Sequence, residues 1–163
     1  MILAALVMTG AAFYIIHTRG WGKSAEAAET AFPAQNVLVV KNAGSGRVYG
    51  KWSLKEHGEF AIEFIHSVNL SPVTEFFRIE NGVIRLFAVR FSSFGAGMQS
   101  DLRDGQTLSR DGERMMLSGL NALFTELSYI VGTVSDHLLI INGESVSLRE
   151  LGGRNAHIAI SLE

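Results

Sequence analysis

Side chains suited to proton transfer and anion binding crowd one stretch of this chain: His66 and Ser67, then Glu75, then Arg90. A histidine near a carboxylate can exchange a proton, and a guanidinium beside them can grip an anion. A Ser–His–Glu hydrolase triad does not fit. Neighbouring strand residues point to opposite faces, so His66 is badly placed to activate Ser67. Asp101, Asp104, Asp111 and Glu113 form an acidic run without the spacing of a calcium loop, and Arg103, Arg110 and Arg114 neutralise it. His17, His57, His137 and His157 lack metal-ligand spacing, and the last two read as surface or edge histidines. No metal and no cofactor is expected.

The positioning elements are strands. EFAIEFIHSV (59–68) and VTEFFRIE (73–80) alternate apolar and polar residues, and VIRLFAVRFSSF (83–94) returns after Asn81-Gly82, which calls for a tight type I′ turn. With an NLSP turn leaving Val68 opposite Val73, His66 faces Glu75 and Glu63 meets Arg78. The Asn81-Gly82 turn then sets Val73 opposite Arg90 and Arg78 opposite Arg85. On this register His66, Glu75 and Arg90 gather at one end of an apolar face carrying Ile62, Phe64, Phe77, Ile79, Ile84 and Leu86. Such a cluster is either a structural lock or a site with a donor left for an anionic ligand.

The rest of the chain reads alike. NVLVV (36–40), RVYGKWSL (47–54, with Gly50 marking a bulge), DHLLIIN (136–142), ESVSL (144–148) and AHIAISL (156–162) are strand signals, and a second Asn-Gly turn lies at 142–143. MMLSGLNALFTEL carries some helical spacing. The expectation is an all-β antiparallel barrel or sandwich of roughly 8–10 short strands. Within 163 residues of net charge -2 nothing favours a nucleic-acid partner. The absence of cysteine removes disulfides, thiolates and cysteine–metal sites.

Residues 1–16, MILAALVMTGAAFYII, carry no charge, and their length falls between a signal-peptide core and a spanning helix of about 20 residues. The organisation expected is an N-terminal hydrophobic helix that targets or anchors to the membrane (1–19), a linker (20–35) and a single β domain (36–163). No basic residue precedes the apolar run, so the charge rule taken alone points the domain inward.

Two short texts add a resemblance. His66-Ser67-Val68, Ser71-Pro72-Val73 and Glu75 fit H-S-V-x-x-S-P-V-x-E, and F-x-S-F-G-A-G runs from Phe91 to Gly97. Together they resemble a bacterial family known as domain of unknown function 1850. The resemblance implies small proteins with an N-terminal hydrophobic segment, associated with TAXI-type TRAP transporters, and hence an extracytoplasmic (periplasmic or cell-surface) location. It carries no activity and no catalytic residue. Gly95 and Gly97 permit positive φ or a close backbone approach to an anion.

The expected function is therefore a membrane-tethered accessory protein with TRAP transporter subunits as partners and a small anionic solute as candidate ligand. His66, Ser67, Glu75, Arg90, Gly95 and Gly97 are its candidate binding residues. Two alternatives stand beside it. One is a structural interaction module docking through exposed Phe76, Phe87 and Phe91. The weaker is an enzyme acting on a small acid, with His66 as base and Arg90 as clamp.

Overall fold

A computed structural model describes residues 36–54, 58–67, 70–92 and 102–163. Gly95, Gly97 and the expected anchor and linker lie outside them. Among the described residues the chain forms eleven strands and one short helix: β1 (Val37–Asn42), β2 (Val48–Ser53), β3 (Glu59–Ile65), β4 (Pro72–Glu80), β5 (Val83–Phe91), β6 (Thr107–Asp111), β7 (Arg114–Phe124), β8 (Glu126–Ile130), β9 (His137–Ile141), β10 (Glu144–Ser147), α1 (Leu148–Gly152) and β11 (His157–Leu162). No helix among them is long and apolar enough to cross a membrane.

The strands make two antiparallel sheets, a four-stranded one ordered β2-β1-β11-β8 and a seven-stranded one ordered β10-β9-β3-β4-β5-β7-β6. Neither closes into a barrel. Leu38, Val40, Leu127, Ile158 and Ile160 of the smaller sheet share one apolar cluster with Phe60, Ile62, Phe77, Ile84 and Leu139 of the larger. This pairing follows from alternation: each strand hides every second side chain, and two such faces cover one another.

Both Asn-Gly turns form as their residues demand. Asn81 and Gly82 have φ of 51° and 75°, and Asn142 and Gly143 have 55° and 84°, the left-handed pair a type I′ turn needs. The bulge expected near Gly50 falls one residue earlier. Val40 pairs with Gly50 and Lys41 with Val48, leaving Tyr49 over. Gly50 lies against the Trp52 ring, where a Cβ would come within 2.3 Å of it. The segment with helical spacing is strand β7 and the start of β8. Gly119, at φ 76°, sits where the β5–β7 register shifts and bends the strand against Gly105, whose carbonyl oxygen would lie 2.1 Å from a Cβ; a helix cannot hold that backbone angle.

Helix α1 was not anticipated. Ser147 caps it by accepting a hydrogen bond from the Glu150 amide at 2.9 Å. Asp136 ties it to the start of β9, accepting from the amides of His137 (2.7 Å) and Arg149 (3.0 Å) and from the Ser147 hydroxyl. One carboxylate thus serves three donors that would otherwise go unmet at a strand start and a helix start.

Candidate functional site

The β3–β4 hairpin closes earlier than an NLSP turn would have it. The His66 amide donates to the Ser71 carbonyl, and the Leu70 amide to the His66 carbonyl, each at 2.9 Å. Ser67 and Leu70 therefore lie in the loop, with Leu70 at φ 49°. Pro72 opens β4 opposite Ile65, a position where a strand tolerates the missing N–H. The pairing is displaced by four residues from the expected register. Ile62 faces Glu75, Glu63 faces Thr74 and Glu59 faces Arg78. An even displacement keeps every side chain on its expected face, so His66 and Glu75 still point into the core. They are not opposite one another: four residues of β3, about 13 Å at the usual rise, separate His66 from the residue facing Glu75.

Arg90 is a clear correction. Pairing follows the Asn81-Gly82 register as far as Phe77↔Leu86, and then slips at Phe87, so that Phe76 pairs with Ala88, Glu75 with Val89 and Thr74 with Arg90. A single-residue bulge reverses the face of everything beyond it. Arg90 consequently lies on the outer face, paired with Asp111 at 3.4 Å and held over the Phe76 ring at 5.4 Å. It does not join His66 and Glu75. Phe91 is turned inward by the same slip and is 1% exposed, so it cannot belong to a docking face with Phe76 and Phe87. The expected opposition of Arg78 and Arg85 is present. Glu59 screens Arg78 at 3.3 Å and Glu80 screens Arg85 at 2.9 Å; Glu63 instead accepts from the Thr74 hydroxyl at 2.9 Å and pairs with Arg114 at 3.6 Å.

The inner face of the larger sheet reads as successive rows. One holds His137, Phe64, Val73, Phe91 and Met115; the next holds Leu139, Ile62, Glu75, Val89 and Leu117. Glu75, only 1% exposed, thus sits among aliphatic neighbours. The Tyr129 hydroxyl of β8 crosses from the opposite sheet and donates to Glu75 Oε2 at 2.8 Å. Tyr129 also lies 5.7 Å from the His137 ring, which stacks on Phe64 at 5.2 Å. His66 is as deeply buried as Glu75, one row beyond Phe64, whereas Ser67 is exposed in the loop.

His137 is a second correction, being a core residue rather than an edge one, 6% exposed. Burial lowers its pKa to about 4, with Asp136 opposing that shift and Arg149 adding to it. It is neutral at pH 7, and its Nδ1 meets no hydrogen-bond partner among the described residues. His157, by contrast, is exposed. The interior polar group is accordingly His66, Glu75, Tyr129 and His137. Tyr129 and His137 were missed because strand alternation reports which face a residue takes within its own sheet and is silent about which residues meet across two sheets. The alternation of HLLII was the available signal: it sets His137 on the same side as Leu139 and Ile141. Among the described residues no three His, Asp or Glu side chains come together as a metal ion would require.

The family model for Domain of unknown function (DUF1850) matches residues 60–148. The chain belongs to this family. No curated protein and no solved structure matches the chain. The DUF1850 match spans the seven-stranded sheet from the second residue of β3 through β10, together with β8. It therefore includes His66, Glu75, Tyr129 and His137 and leaves out β1, β2 and β11.

Proposed function

We propose that this DUF1850 protein is an extracytoplasmic accessory protein of a TAXI-type TRAP transporter, tethered through its N-terminal apolar segment, and that it binds a small anionic solute without transforming it. The fold is best read as an open β-sandwich. The observation that carries the functional reading is the burial of the motif residues His66 and Glu75 between the two sheets, in a layer that also holds Tyr129 and His137. Burying polar groups costs stability that an apolar set would not cost, and selection for stability alone gives little reason to place four of them there. The turn that carries Ser67 and the end of β5 that leads into the Gly95–Gly97 text lie at the same end of the larger sheet, because Val73 faces both Phe64 and Phe91.

The test is co-purification of the full chain with the transporter's membrane subunits, combined with solute uptake in a deletion strain at limiting solute. Recovery of those subunits and reduced uptake support the reading. Unchanged uptake with no recovered subunit overturns it.

A further inference from the structure

The arginines on the outer face of the larger sheet each have a carboxylate: Arg78 with Glu59, Arg85 with Glu80, Arg90 with Asp111 and Arg114 with Glu63. Arg149 differs. It stands in α1, and its Nε and Nη2 are buried and meet no hydrogen-bond partner among the described residues. Those two nitrogens form one edge of the guanidinium, where two N–H bonds run side by side at the spacing of a carboxylate's oxygens. Donors of a cation buried without acceptors are costly and call for a missing acceptor.

The nearby acid does not fill that role. Asp136 already accepts from two amides and the Ser147 hydroxyl. Two of these donors, the amides of His137 and Arg149, converge on the same Asp136 oxygen. The orphaned edge of Arg149 and the orphaned Nδ1 of His137 thus belong to residues anchored at one point, at the end of the domain where the hairpin motif also lies.

We propose that the Nε–Nη2 edge of Arg149 is a subsite for a small carboxylate. The proposal rests on the solute-binding reading and gives its ligand a chemical class. A flat, two-oxygen monoanion matches a flat, two-nitrogen monocation. A phosphate dianion matches it less well, because Asp136 adds negative charge close by. The edge is closed to bulk water, so Arg149 must shift to admit a ligand, and the smallest carboxylates enter most readily.

The experiment uses the full chain at pH 7. Calorimetry and thermal melting are run with sodium formate and sodium acetate, against sodium chloride at matched ionic strength and against inorganic phosphate. A saturable heat and a rising Tm with formate or acetate but not chloride are expected. Arg149→Gln should weaken that binding at least tenfold. Arg149→Lys keeps the charge and loses the fork; it should weaken binding too, and it carries the test if the glutamine variant fails to fold. No saturable response to either carboxylate, affinity in both variants unchanged from the parent, or tighter binding of phosphate than of acetate overturns the proposal. A negative result here leaves co-purification with transporter subunits standing, whereas saturable acetate binding without co-purification counts against the accessory role alone.

Discussion

Phe76 and Phe77 are chain neighbours on β4 and live in different chemistry. Phe77 is fully buried and stacks on Phe60 with ring centroids 5.2 Å apart. Phe76 looks outward, 6.3 Å from Phe87, with the Arg90 guanidinium over its ring. The same contrast holds for two carboxylates that each accept a hydroxyl. Glu75 takes the Tyr129 hydroxyl in the layer between the sheets at 2.8 Å, and Glu63 takes the buried Thr74 hydroxyl on the opposite face of the larger sheet at 2.9 Å. The outer pair has Arg114 at hand, while the inner pair sits in a layer of aliphatic side chains. One strand therefore separates a face where polar groups are shared and replaceable from a face where each contact is hard to substitute.

The sharpest break of this contrast is a pair of truncations. Phe77→Ala should cost about 3–5 kcal/mol, the range for a large core aromatic. Phe76→Ala should cost about 1–2 kcal/mol, since part of its ring is already in contact with guanidinium and solvent. Urea unfolding of the two variants measures both, and equal costs would mean that the outer face is covered in solution.

Acid comes next. The His137 pKa is about 4 in the fold against 6.5 for a free imidazole, so the unfolded chain binds more protons between these values. Stability from this residue is complete above pH 6.5, falls as the pH drops through that window, and has declined by about 3 kcal/mol at pH 4. The charged groups beside the ring are Asp136 and Arg149. His137→Phe, which keeps a ring for Phe64 to stack on, should flatten unfolding free energy against pH between 6.5 and 4.

A smaller effect is expected from the hydroxyls. Tyr129→Phe removes a donor from a buried acid and should cost about 1.5–3 kcal/mol. Thr74→Val removes one from Glu63, which keeps Arg114, and should cost about 1 kcal/mol. Chemical denaturation at pH 7 separates them, and a Tyr129→Phe variant as stable as the parent would mean that Glu75 is satisfied without the cross-sheet bond.

How much of this could be read beforehand depends on what sets each feature. The strands from Val37 to Phe91, and the β9–β10 hairpin, follow from alternation and from two Asn-Gly turns, both local properties. Face assignments in β3 and β4 survived a misplaced turn because the displacement was even. Arg90 was lost because a bulge adds one residue, and Phe87 carries no mark of it: the slip serves packing against β7, which bends at Gly119. The segment MMLSGLNALFTEL has enough helical spacing to mislead, and tertiary pairing with β5 and β6 decides it. Tyr129 and Arg149 were invisible for another reason. A tyrosine in a strand and an arginine in a short polar stretch are ordinary text; the partner of the first lies 54 residues away, and Nε and Nη2 of the second meet no hydrogen-bond partner among the described residues.

Arg90→Ala gives the smallest expected change and tests the geometry most directly. Had Arg90 stood beside Glu75 in the core, removing it would strand a buried charge at about 3–5 kcal/mol. On the outer face, with its side chain 30% exposed and that of Asp111 50% exposed, the loss should stay below about 1 kcal/mol and shrink further in salt. A double-mutant cycle sharpens the distinction. Arg90 and Tyr129 act on opposite sides of one sheet and share no partner, so the costs of Arg90→Ala and Tyr129→Phe should add within about 0.5 kcal/mol. Coupling larger than that would require the guanidinium and the Glu75 carboxylate to sense one another, which the slip at Phe87 forbids.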